Sequence, residues 1–366
     1  MKRILCFALA LTLLLSLFGC SNKYKPVEST KEESRVVLTL TADGQKYEVK
    51  YELYRALFLA NRDAVDGGDS SVWSSDRKDE YIARVNEIIV AHAAKIYSTL
   101  HVAAELGFEP YSKTADDAVK ESVKGAVEGD GSQDGYGSYE EYLEGLKKSY
   151  LNYSVADLLK RYSLALEYID EYYRSEPDVL GNPTAKYEYT REDVSAYYSS
   201  NDCARVLVAY FPAGVRSYED VEAFREDLAV MDNYHRAAHI LGNTSANAYD
   251  LIAIDGNGND CVSGSVIGRS ALDKEYSSYT NAIFALEDGE ISEIIELQGT
   301  DADGYYLVCR IDKDQAHFDL CYDAIASSYL DQIIGSSMSS TLDAMIASVH
   351  YPSAYNDVVH AQISMD

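Results

Sequence analysis

Positive charge is scarce in this chain of 366 residues: 32 lysines and arginines stand against 60 aspartates and glutamates, a net charge of -28. So acidic a surface repels phosphate backbones and anionic headgroups, which argues against nucleic acid and acidic lipid as partners. Solubility is the ordinary use of such charge. Cysteine is also sparse, with six residues, and Cys203, Cys261, Cys309 and Cys321 follow no zinc or CxxC spacing. Their pairing stays open: oxidising surroundings permit disulfides, yet scattered thiols in a long chain are more often buried single residues. No run after residue 20 is apolar enough to span a bilayer. Tyrosine, by contrast, is abundant at 32 residues. Its large apolar ring and hydrogen-bonding tip suit half-exposed grooves that hold varied apolar partners, although a compositional habit of the organism explains it equally.

The start has three zones: Lys2 and Arg3, an apolar run over 4–18, then Gly19-Cys20 before polar residues from Ser21. That is the form of a secretory signal, too short for a comfortable span. Leu17-Phe18-Gly19-Cys20 resembles the bacterial lipobox, in which the cysteine is diacylated and becomes the new N-terminus; Phe18 is bulkier than usual there. The expectation is a signal over 1–19, a lipid on Cys20, and a polar tether over 20–35. The protein is then extracytoplasmic, anchored to the cell membrane. About 345 residues remain, enough for two domains.

Val36 to Leu40 alternates toward Asp43-Gly44, and Tyr47-Glu48-Val49 follows, which predicts a hairpin. Helical periodicity begins near Lys50 and again over 81–106, ended by Gly107. Residues 108–137 predict a helix and then a loose loop. Ser138 and Glu141 form a capping-box pattern that opens one long helix to Tyr173. A further short helix is expected over 190–199. From Cys203 the character changes to a compact α+β unit reaching 313, with strands expected over 204–211, 249–254, 291–297 and 305–311. Helical periodicity returns over 316–349, and 358–363 reads as a last strand.

Within that unit Ser263-Gly264-Ser265-Val266-Ile267-Gly268 precedes Tyr279, Asn281-Ala282-Ile283-Phe284-Ala285-Leu286, Asp288-Gly289-Glu290-Ile291-Ser292 and Gly304-Tyr305-Tyr306-Leu307-Val308. This order resembles the second half of a parvulin domain. With the hairpin and long helices before it, the chain resembles SurA/PrsA-type extracytoplasmic foldases. The fold implied is α+β: a helical chaperone domain from 36–200 plus 314–366, with a parvulin-like domain inserted over 201–313. The function implied is assisting unfolded exported proteins, the partners being those chains and, through the lipid, the membrane.

The family's pocket carries two histidines on adjacent central strands. The resemblance places Arg205 and Tyr306 at those positions, Asp255 near the usual Asp or Cys, and Tyr279 at the proline-gripping aromatic. Substrate contacts are expected at Phe284 and, in the helical cradle, at Tyr142 and Tyr150. With both histidines replaced, the parvulin unit is expected to be weak or inactive; an active peptidyl-prolyl isomerase with an altered pocket is the alternative. A ligand-binding lipoprotein is a third reading and predicts two lobes of alternating βα units. No cofactor and no metal is expected. His235 and His239 share a helical face but lack an acidic third ligand, Gly256-Asn257-Gly258-Asn259-Asp260 lacks calcium-loop spacing, and Ser263-Gly264-Ser265 has no adjacent base.

Overall fold

Asp43 and Gly44 both take positive φ, 47° and 78°. They close the two-residue turn between β1 (Val36–Ala42) and β2 (Gln45–Lys50), an antiparallel pair, as an Asp-Gly pair between alternating segments predicts. The hairpin belongs to a computed structural model that describes residues 26–129, 135–174, 185–244, 246, 251–254, 260–269, 277–298 and 303–352. The signal, Cys20, Asp255 and the strand expected over 358–363 lie outside the described residues. The described residues divide into two compact units, one of those up to 185 together with those from 337 on, and one of those between 186 and 336.

In the first unit α1 (Tyr51–Asp66) follows β2 directly, and Lys50 offers it no side-chain cap. A helix start needs acceptors for its free N–H groups. Residues 33–35 supply them: Tyr51 N donates to Arg35 O at 2.8 Å and Glu52 N to Glu33 O at 3.1 Å. Part of the stretch expected as tether is therefore a cap on α1. The periodicity over 81–106 becomes α2 (Lys78–Glu105), which buries Ile82, Val85, Ile89, Ala93, Leu100 and Ala103. Next come α3 (Lys113–Glu128), capped by Ser112, and α4 (Tyr139–Lys148), capped by Ser138. α1, α2 and α5 (Tyr153–Arg174) pack together.

The single helix expected over 138–173 is two helices. Leu151 N donates to Leu146 O at 2.8 Å and Tyr150 N to Lys147 O at 3.0 Å, the paired bonds of a Schellman end, with Tyr150 left-handed at φ 61°. Asn152 then caps α5 by accepting from Val155 N at 2.9 Å. Apolar periodicity runs through this break because both helices bury the same stripe. His350 returns to the hairpin, where it and Thr39 exchange backbone bonds of 2.9 and 3.0 Å.

The second unit is built on a four-stranded antiparallel sheet in the order β6-β3-β8-β7: β6 (Ser265–Gly268), β3 (Cys203–Pro212), β8 (Gly304–Arg310) and β7 (Ile295–Leu297). β7 is shorter than the expected 291–297, since Ile291 makes only an isolated bridge to Cys309. Before the sheet lies α6 (Arg191–Ser199), closed by a Thr190–Asp193 capping box. One face packs on α7 (Tyr218–Ala229) and α8 (Asn233–Asn243), joining Leu207, Phe211, Leu307 and Ile311 to Phe224, Leu228 and Ile240. The other carries α9 (Ser277–Ala285), with Tyr279 and Ile283 against Ala204, Val206, Val308 and Leu297. β4 (Ile252–Ile254) and β5 (Asp260–Val262) form a small separate pair. α10 (Gln315–Leu320) follows, then α11 (Tyr322–Ala347), whose residues up to Ser336 count with this unit. Among the described residues no helix is long and apolar enough to cross a membrane.

Of the motif glycines, Gly264 makes the tight turn, at φ 71°, and Gly268 is a strand residue opposite Cys203. A Cβ on Gly264 would meet Ile311 Cδ1 at 3.0 Å and Val206 O at 3.1 Å. Gly264→Ala is therefore expected to destabilise this unit by about 1–3 kcal/mol, from backbone strain and crowding together. Urea unfolding curves read that directly, and an unchanged midpoint would remove the turn argument.

Candidate functional site

Alternation along β3 sends even and odd residues to opposite faces. Arg205 is odd, and its face is shared by Leu207 and Phe211 of the core under α7 and α8. There its guanidinium is enclosed, with the residue 6% exposed. Nε donates to Ser263 O at 2.9 Å, Nη2 to Val262 O at 2.5 Å, and Nη1 to Asp312 O and Asp314 Oδ2, both at 2.8 Å. His317 belongs to the same buried polar group: Nδ1 lies 2.8 Å from the Tyr198 hydroxyl. Burial first, and then the charge of Arg205, push the imidazole down to about 4, so it is neutral at physiological pH.

The even face is aromatic. Tyr210 and Tyr306 sit directly opposite each other on β3 and β8 and stack at 4.6 Å between ring centroids. Tyr279, from α9, meets Tyr306 edge-on at 5.3 Å. Tyr210 and Tyr306 are half-buried and Tyr279 is buried. Burial drives the Tyr279 phenol upward from its ordinary value, which keeps it a neutral hydrogen-bond donor. The Tyr210 hydroxyl donates to Asp303 O at 3.1 Å. Three tyrosine rings beside an apolar floor can grip an apolar or ring-bearing residue, and their hydroxyls can hydrogen-bond the adjoining backbone. Covalent chemistry needs a nucleophile, and Cys309, buried on the opposite face, has its thiol pushed up to about 11 by burial.

Of the expected pocket residues, Tyr279 and Tyr306 are therefore brought together. Arg205 lies on the neighbouring central strand, but its side chain is on the other face. Asp255 lies outside the described residues. Phe284 is near the Tyr279 helix end, with the Arg269 guanidinium 4.2 Å above its ring. It lines a cleft of about 470 Å³ together with Asn201, Glu287, Asp288 and Arg310.

Tyr142 and Tyr150 belong to the other unit and play different parts there. Tyr142 is core, packed with Val123, Val127, Leu146 and Tyr153; Tyr150 is exposed at the end of α4. The residue that sequence reasoning missed is Tyr210. Its signal is the strand spacing itself: on a strand paired with that of Tyr306, an even position six residues after Ala204 returns to the same face.

Several solved structures overlap the chain at low identity. Foldase protein PrsA from Streptococcus pneumoniae str. Canada MDR_19A is 15% identical over 75% of this chain and 89% of that one, with a TM-score of 0.27. PrsA from Bacillus subtilis is 14% identical over 86% and 93%, at 0.24, and the peptidylprolyl isomerase PrsA from Bacillus anthracis 15% identical over 68% and 94%, at 0.27. No family model matches the chain, and no curated protein does. At this identity and overlap the likeness places no residue and assigns no activity.

Proposed function

We propose that the chain is an extracytoplasmic chaperone of the foldase type, held to the membrane by lipid on Cys20, that binds unfolded exported polypeptides and has little or no prolyl isomerase activity. The observation that carries this reading is the Tyr210–Tyr306–Tyr279 row on one face of the sheet, with Arg205 committed on the other. Prolyl isomerisation faces a barrier of ~18–20 kcal/mol set by amide resonance. Lowering it requires groups that hold the twisted bond. In the resemblance those are the strand histidines; here one position is a buried structural cation and the other a phenol that stacks. What is left is a binding surface. The motif order from Ser263 to Val308, and the β3–β8 pair at the sheet centre, also favour the parvulin-like assignment. A transporter-type binding protein needs alternating βα units, whereas this sheet is antiparallel throughout.

Two assays on the same preparation test the proposal: suppression of aggregation of an unfolded protein, and protease-coupled isomerisation of a proline tetrapeptide. Suppression with isomerisation at the blank rate is the expected result. Tyr279→Ala and Tyr306→Ala should each weaken binding of an unfolded peptide by about tenfold, ~1.4 kcal/mol. Isomerisation well above blank that Tyr279→Ala abolishes would establish the enzyme instead. Failure of both assays would sink the foldase reading altogether.

A further inference from the structure

Three side chains converge at the tip of the β1–β2 hairpin, in the first unit. Asp43 stands at the turn, and His101 and Glu105 share a face of the last turns of α2, four residues apart. Nε2 of His101 lies 3.1 Å from Asp43 Oδ2 and 3.6 Å from Glu105 Oε1. The three ligand atoms all fall within 4.8 Å of one another. The Asp43 contact is within hydrogen-bonding reach, whereas the Glu105 contact lies beyond it. Donors bound at about 2.0–2.2 Å around one tetrahedral ion sit roughly 3.3–3.5 Å apart, which the two values bracket.

The histidine is also prepared independently of the carboxylates. It is only 5% exposed, and its other ring nitrogen, Nδ1, lies 2.7 Å from the Tyr47 hydroxyl. Such an outer partner fixes the tautomer of a metal-bound imidazole. With Nδ1–H donating to the Tyr47 oxygen, the Nε2 lone pair faces the two carboxylates.

We propose that Asp43, His101 and Glu105 bind a divalent transition metal of the zinc type, with a fourth position open to solvent. An imidazole with two carboxylates suits zinc better than calcium or magnesium, which take oxygen donors alone. Asp43 and Glu105 are exposed, which gives the ion a route in. Its effect is to tie the hairpin turn to the end of α2 across 58 residues of sequence. The site stands apart from the tyrosine face and does not depend on what that face binds.

The test is calorimetric titration of Zn²⁺ alone into the chelator-treated full chain in detergent. One ion per chain is expected. Binding should be lost in His101→Gln, weakened at least about tenfold in Asp43→Asn and in Glu105→Gln, and weakened about tenfold in Tyr47→Phe. Asp43→Asn and Glu105→Gln carry the test if His101→Gln fails to fold, because both positions are exposed and asparagine tolerates the left-handed backbone at 43. No binding by the wild type, or binding undiminished in those two variants, overturns the proposal.

Discussion

Replacing Arg205 with alanine is expected to destabilise the sheet unit by about 3–5 kcal/mol, the cost of removing one partner from a buried charged network. The Asp314 carboxylate is half-exposed, so the ion pair itself contributes modestly. The larger cost falls on the backbone. The carbonyls of Val262, Ser263 and Asp312 all lose a charged donor, and a buried acceptor left short, as that of Ser263 would be, costs about 1–3 kcal/mol. Arg205→Lys keeps the charge without the planar fork and should recover less than half of the loss. Arg205→Met fills the space yet leaves the carbonyls unserved, so it should not rescue either. Because the guanidinium lowers the His317 pKa, Arg205→Ala should also raise it, which NMR titration of that imidazole can follow. Urea midpoints for the three variants decide the matter: an Arg205→Ala midpoint within about 1 kcal/mol of wild type would show the network to be incidental.

Arg205 also shows where sequence reading reaches its limit. Strand β3, its central place and its neighbour β8 were legible from short apolar runs and from the resemblance, because alternation and turn glycines are local signals. Which way residue 205 faces relative to 306 was not. A one-residue difference in register flips a side chain to the other side of a sheet, and only the pairing of Val206 with Arg310 and Tyr210 with Tyr306 settles it. The break at Tyr150 was hidden for a related reason. A left-handed tyrosine at a helix end carries none of the signal that glycine gives, so the stripe read as continuous. Asp43 was recognised as a turn residue and His101 as part of a helix, but their meeting is a tertiary fact with no counterpart in spacing. Hairpin, long helices and capping residues were legible because each is fixed within a few residues of itself.

Arg161→Ala is expected to cost the helical unit about 3 kcal/mol, somewhat less than the Arg205 change. Arg161 is 6% exposed and is held from three directions. Nε and Nη2 fork onto Asp157 at 2.8 and 3.0 Å one turn back on α5, Nη2 reaches Asp116 on α3 at 2.8 Å, and Nη1 donates to Pro110 O. The Tyr111 ring covers the guanidinium, its centroid 4.7 Å away. One side chain therefore pins α3 and the loop before it to α5. Two of its acceptors are carboxylates that regain water when it leaves, whereas Arg205 serves three carbonyls, that of Ser263 fully buried; that difference sets the order of the two effects. A double-mutant cycle of Arg161→Ala with Asp116→Ala should return a coupling of about 1 kcal/mol, small because Asp116 is half-exposed. The same cycle with Asp157→Ala should give more, since that pair is forked and better covered. Equal couplings, or an Arg161→Ala loss no larger than either of them, would mean that the carboxylates alone explain the arginine and that its bond to Pro110 contributes nothing to holding α3 against α5.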